Sequence, residues 1–330
     1  MIRHSTPVVF SHIRAAYFGA FILLASFACS SPLADAAGPN SKRDPHPPFR
    51  LEVRDAHGTV IAGSDKTHRS FDRTLAVVAF EHAYQPGDQL IVRGPARMAV
   101  RVDDWIPECE IFLSKPILVA FSFLIPYGQG EPATRSPFSP DSFAGVWHRV
   151  TARALTDIES SRYRNLAMNA CDQDIPPTSL EGAEGQLQPS VFPHASTNSV
   201  SRQLPDFQAR NAIDGMTQNS HHGVWPYQSW GPELRNDLWW KVDFGRPVEV
   251  DKIRLMVRSD FPHDSYWQSA VIEFSDGGEV PIQILQTAEF QEFTFPKRSV
   301  SWLRLNKLVP ADSSRWCSFI EVEAWGRDLK

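Results

Sequence analysis

From Phe49 the chain alternates apolar and polar positions. Leu51 and Val53 precede the turn Asp55-Ala56-His57-Gly58, and Thr59-Val60-Ile61 follow it. Successive side chains of a strand point to opposite faces, so this period of two predicts a hairpin with one buried face. Further apolar or alternating runs lie at residues 75–80, 89–92, 98–102 and 117–124, separated by Pro86-Gly87-Asp88 and Gly94-Pro95. Short strands at this spacing predict a β-sandwich over about residues 49–127. Residues 128–140 are dense in Gly, Pro and Ser and read as a loop.

The period then changes. A helix is expected over residues 157–168, because Thr156 and Glu159 stand three apart as a capping box that satisfies free backbone amides. Leu155, Ile158, Tyr163, Leu166 and Ala167 would share one side of it. Arg162 and Arg164 either bind an anion or form a solvated face. Residues 176–189 hold Pro, Gly, Ser and Glu with almost no apolar periodicity, which places a linker at 176–190. It would separate a first β-sandwich with a helical extension, 49–175, from a second, 191–330. In the latter, Trp239-Trp240 and Asp243-Phe244-Gly245 fit a strand with a buried face followed by a turn, and Ile253–Val257 alternates again. The expected fold class is mainly β: two β-sandwich domains joined by a short helical connector.

Composition adds little to that picture until the first 36 residues. There Arg3 and Arg14 precede and open an apolar run ending at Ala28, and Ala34-Asp35-Ala36 supplies small residues around a cut. This reads as a signal peptide cleaved near Ala36 or Ala37, giving a secreted or periplasmic product. Cys29 invites a lipoprotein reading, but Phe27 stands where a small residue is expected. The apolar run is shorter than the ~20 residues of a membrane anchor, so no membrane span is expected. The formal net charge is −5, which argues against nucleic acid or an anionic membrane as a general partner. Past the cut, Cys109, Cys171 and Cys317 remain, allowing either one disulfide and one spare thiol or three buried thiols.

Familiar enzyme signatures are missing: no Gly-x-Ser-x-Gly, no His-Glu-x-x-His, no phosphate-cradling Gly-rich loop and no EF-hand run occur. The informative stretch is residues 209–276. It contains Arg210-Asn211-Ala212-Ile213-Asp214-Gly215, then the aromatic and His-rich loop 221–231, then Trp239–Gly245, the strand 253–257 leading into Arg258-Ser259-Asp260, and Phe274-Ser275-Asp276-Gly277. This order resembles the discoidin, or coagulation-factor type C, domain and with it the family-32-type carbohydrate-binding modules. The resemblance covers roughly residues 190–326. It implies a galactose-binding-like jelly roll whose end loops hold sugars or lipid headgroups, often beside a structural calcium.

Three groups carry the candidate chemistry. Asp214 heads a tight Gly turn, where a carboxylate and inward carbonyls suit Ca²⁺, a hard cation with oxygen ligands. In the resembling modules a Glu on the last strand completes that site, and Glu321 stands at the matching position. The bland alternative is an Asp capping its own turn. The loop holding His221, His222, Trp225, Tyr227 and Trp230 offers rings to stack on a sugar and His to reach its hydroxyls, unless the two Trp fill the core beneath. Arg258 lies where sugar-binding members place a hydroxyl-gripping Arg, with Asp260 expected to orient it. His263 and Asp264 follow as a hydrogen-bonding pair, and Trp267 closes the segment. A richness in His departs from the simplest family pattern.

The leading expectation is a secreted carbohydrate-binding protein that recognises a glycan or polysaccharide through these loops. The alternative is a polysaccharide lyase or glycoside hydrolase, with Arg258 neutralising a uronate, Asp260 as its orienter, and His263 or Tyr227 moving protons. A protein–protein adhesion module is the second alternative.

Overall fold

The computed structural model describes residues 49–63, 75–85, 87–116, 120–125, 136–173 and 191–329. The expected leader, its cut, residues 128–135 of the expected loop and the 176–190 linker lie outside the described residues. Residues 45–330 form one compact unit. Among the described residues no helix is long and apolar enough to cross a membrane.

The first part of the unit is two antiparallel sheets. One contains β1 (Arg50–Arg54), β2 (Val60–Gly63), β4 (Gln89–Arg93) and β7 (Phe121–Leu124), in the order β2-β1-β4-β7. The expected hairpin is β1–β2, and its tight turn is held by Asp55, whose carboxylate accepts from the amides of His57 and Thr59. The other sheet contains β3 (Leu75–Glu81), β5 (Arg97–Arg101), β6 (Cys109–Leu113), β8 (Trp147–Ala154) and β10 (Val191–Phe192). Between the sheets lie Leu51, Leu90, Met98, Ile111, Phe121 and Phe123, all buried. Each such side chain contributes roughly 1.5–3 kcal/mol on leaving water. Cys109 and Cys171 form a disulfide across a sequence separation of 62, which on loop-closure entropy contributes about 4 kcal/mol. Cys317 is a buried free thiol.

The helix α1 spans only Asp157–Ser161. Its start is as expected, with Thr156 and Glu159 exchanging the two capping-box hydrogen bonds. Its end is not. Arg162 turns extended, and β9 (Arg164–Asn165) pairs with Gly326 and Trp325 of the last strand. Asn165 Oδ1 also accepts from the amides of Ala167 and Ala324. A sheet edge more than 150 residues away thus overrides local helical preference. Arg162 and Arg164 both pair with Glu110.

The C-terminal part is built on β11 (His194–Thr197), β12 (Trp240–Val257), β13 (Trp267–Phe274), β14 (Glu279–Gln283), β15 (Gln291–Pro310) and β16 (Phe319–Asp328). The first half of β12 pairs with β11 and β15, the second half with β15 and β16. The register breaks between Asp243 and Val248, where Gly245 takes φ +66° and a Cβ would meet the Phe192 ring at 2.1 Å. Only glycine fits that approach. Trp230, Trp240, Phe244, Phe274 and Phe319 are fully buried in the second core. Two small strands cross between the halves: β9 joins β16, and β10 joins β6.

Candidate functional site

Three loops meet at one end of the second sandwich. The first follows the short 3-10 turn Ala209–Ala212, the second follows β12, and the third joins β15 to β16. Arg258 is the first residue beyond β12, and its amide donates to the Ser318 carbonyl (3.1 Å), which ties the second loop to the third. The Ser259 amide likewise donates to the Asn219 carbonyl of the first loop (2.8 Å). These backbone bonds fix where the side chains emerge.

Arg258 is 3% exposed and Asp264 2%. The Arg258 Nε donates to Asp264 Oδ2 in a buried ion pair. The other Asp264 oxygen faces His263 Nδ1 at 3.2 Å. Asp260, expected to orient Arg258, instead meets His222 Nδ1 at 3.0 Å. The rings of His222 and His263 stack in parallel, 4.8 Å between centroids. Arg258, Asp264, His222 and His263 line a cleft of roughly 750 Å³ including its open mouth, together with Asp206, Trp316 and Ser318. Within it Arg258 Nη1 and Ser318 Oγ are buried without a protein hydrogen-bond partner. A buried donor left unpaired costs about 1–3 kcal/mol, so a ligand that satisfies it gains that much.

The other residues singled out from the sequence are placed elsewhere. Trp230 and Trp267 are core residues, stacked at 6.3 Å, with Trp230 also on Phe319 at 5.7 Å. Trp225 has its amide bound to the Ser136 carbonyl (3.1 Å), and it lines a separate cleft with Trp105 and Phe138 of the first part. Tyr227 meets the exposed His221 edge to face at 5.1 Å. Trp316, 37% exposed, lines the Arg258 cleft together with Phe207. It was missed in sequence, although a Trp after the polar run Asp312-Ser313-Ser314-Arg315 is itself a signal.

Asp214 and Glu321 form a second, deeper group. Asp214 follows the 3-10 turn, and its carboxylate accepts from the Met216 amide (2.9 Å) and Gln228 Nε2 (2.8 Å). Glu321 on β16 accepts from the Gly215 amide at 3.2 Å. Gly215 takes φ +82°, a conformation that favours glycine, and so turns that amide inward. Burial raises the pKa of Asp214 to about 6, opposed by the nearby Arg210. Burial, and then the Asp214 charge, push Glu321 well above the usual carboxylate range. Gln228 Oε1 beside them is buried and has no partner. Two carboxylates of rising cost as anions and an orphaned amide oxygen make an all-oxygen donor set, which fits a hard divalent cation.

Residues 194–322 match the F5/8 type C domain family. The C-terminal sandwich is an F5/8 type C, or discoidin, domain. Solved structures similar to the chain include chitosan-binding module 1 of a chitosanase/glucanase from Paenibacillus sp. IK-5, at 19% identity over 49% of this chain and 99% of that one, TM-score 0.34. The lectin domain of lectinolysin, complexed with Lewis B antigen, is similar at 20% identity over 41% and 93%, TM-score 0.33. The family 32 module of C. perfringens NanJ, in complex with galactose, is similar at 15% identity over 40% and 91%, TM-score 0.31. No curated protein matches the chain.

Proposed function

We propose that this is an exported glycan-binding protein that holds a sugar in the Arg258 cleft. The observation that carries the reading is the buried, Asp264-held Arg258 lining the cleft with Nη1 unpaired, and the exposed Trp316 ring in the same cleft. A sugar presents hydroxyls at its rim and C–H groups on its face, and this pair of side chains answers both. The discoidin domain is consistent with that use. Export is supported by the Cys109–Cys171 bridge, since disulfides persist in oxidising compartments.

A glycan array probed with and without calcium tests the reading. Trp316→Ala should weaken the captured sugar by at least about 1 kcal/mol, roughly fivefold, as the loss of an aromatic anchor does. Wild-type affinity in that variant, measured by calorimetry with the free sugar, would remove Trp316 from the site. New reducing ends or unsaturated products in the same incubations would replace binding by lyase or hydrolase action.

We also propose that Asp214 and Glu321, with Gln228 beside them, hold a structural calcium ion. The cation would supply the positive charge that two buried carboxylates need in order to stay ionised. Without it, both folded-state pKa values lie above the unfolded ones. The pair's stabilisation is then full below the ordinary carboxylate range and is lost as pH rises through about 6 and beyond. Chelator-treated protein should therefore melt lower at pH 8 than at pH 5. Calcium at 100 times its dissociation constant should restore ~2.7 kcal/mol at pH 8. Glu321→Gln should flatten both the pH slope and the calcium shift. A melting temperature that ignores calcium at pH 8 in wild type would refute the site.

A further inference from the structure

We infer that His222, His263 and Asp264 of the cleft wall, with the adjacent Asp260, form a binding site for a divalent transition cation of the zinc class. Each offers one ligand atom, and the four atoms lie within 4.8 Å of one another. His222 Nδ1 and His263 Nδ1 approach the same oxygen, Asp260 Oδ2, at 3.0 and 3.9 Å. Asp264 Oδ1 stands 3.2 Å from His263 Nδ1. Zinc bonds to nitrogen and carboxylate oxygen run about 2.0–2.2 Å. The edge of a tetrahedron with such bonds is roughly 3.3–3.6 Å, and the three observed separations bracket it. Three of the separations are thus near that spacing, and the full set, within 4.8 Å, closes on a cation by small side-chain rotations.

The supporting interactions are also in place. Asp264 is held from behind by the buried Arg258 guanidinium through its other oxygen, so the inward oxygen is fixed in direction. Both Nδ1 atoms lie near Asp260, and because the two rings are parallel, one of these exposed rings must rotate about its side-chain bonds for both lone pairs to meet one cation. Ligation through Nδ1 uses the tautomer that carries its proton on Nε2. Arg258 offsets one of the two carboxylates, and the buried Asp206 in the same cleft adds a further acidic group. The imidazoles decide which cation is taken. Two nitrogen ligands favour zinc, cobalt, nickel or copper, whereas calcium and magnesium favour oxygen alone. The half-exposed His222 and His263 side chains leave the cation a path from solvent. This site is distinct from the oxygen-only pair at Asp214 and Glu321, and it does not require that the cleft take a sugar.

The experiment uses the full chain, stripped of metal and returned to buffer with excess calcium to occupy any oxygen-only site. Cobalt is titrated in and followed by its visible ligand-field absorption, and zinc is titrated by calorimetry. One equivalent per chain is expected, with zinc displacing cobalt. His222→Ala and His263→Ala should each weaken binding at least roughly tenfold, the lower end of what even outer-shell changes cost. Both side chains are exposed, so unchanged melting of the metal-free variants shows that they fold. The inference is overturned by absence of cobalt absorption and zinc heat in wild type. It is equally overturned if both single variants bind as wild type does. No glycan is present in the assay, so either result leaves the sugar reading where it stands.

Discussion

Arg210→Ala should lower the stability of the folded chain by about 3–5 kcal/mol, the cost of breaking a buried charged network. Arg210 is 2% exposed. Its Nε donates to the Asp172 carbonyl at 2.5 Å, Nη2 to the Ala170 carbonyl at 2.8 Å and Nη1 to Asn211 Oδ1 at 3.0 Å. The guanidinium also lies over the Phe138 ring, 4.7 Å from its centroid. The Ala170 and Asp172 carbonyls and the Phe138 ring belong to the part of the chain that precedes the C-terminal sandwich, so one side chain ties the two parts together. The substitution leaves three acceptors unsatisfied and removes the positive charge that lowers the cost of Asp214. Against a typical total of about 5–15 kcal/mol, the loss is severe. Urea unfolding with tryptophan fluorescence reads it as a fall in midpoint. Calcium should restore more stability to the variant than to wild type, because the acidic pair has lost its neighbouring cation. Arg210→Lys should recover the charge but not the three-way fork, and so only part of the stability. A loss under about 1 kcal/mol in Arg210→Ala would mean that these hydrogen bonds contribute little net.

Much of the fold is legible from period-two alternation, and the misses have physical causes. The β1–β2 hairpin and the end of β12 carry Val, Ile and Leu on one face, so the pattern is plain. Strand β8 also alternates, but its buried positions are His148, Val150 and Ala152, and a His and an Ala conceal the stripe. The Thr156–Glu159 box is a local signal and appears where expected, whereas the end of α1 is set by pairing with β16. The site divides the same way. Sequence order brings Arg258, His222 and His263 to one cleft, because the loops before and after β12 meet there. Which aromatic ring is core and which meets solvent depends on the direction each loop takes. Trp230 and Trp267 are inside, while Trp316 is at the cleft. The partner of Arg258 depends on the same detail, since the turn through Pro262 aims Asp264 inward and leaves Asp260 to His222.

That exchange of partners bears on the proposal that Arg258 holds a sugar. Arg258→Ala should abolish sugar binding, but it should also destabilise the domain by about 3–5 kcal/mol, because Asp264 is left charged and buried. Loss of binding in that variant would not separate recognition from folding. The double substitution Arg258→Gln with Asp264→Asn does. Two amides can keep a neutral hydrogen bond across the same space, and no buried charge is left unpaired. The double variant should fold, with cooperative melting and the unchanged near-ultraviolet circular dichroism of the Trp230–Trp267 core. It should bind the sugar captured on the array ten- to a hundredfold more weakly, since a lost charged hydrogen bond costs ~1.5–3 kcal/mol. Arg258→Lys should also bind poorly, because a point charge cannot reach Asp264 and a sugar hydroxyl with one planar fork. Calorimetry in zinc-free buffer reads both variants without involving His222 and His263 as metal ligands. A double variant that folds and binds the sugar as tightly as wild type would place the glycan site away from Arg258, and the cleft beside the exposed Trp105 and Trp225 would then be the next surface to mutate.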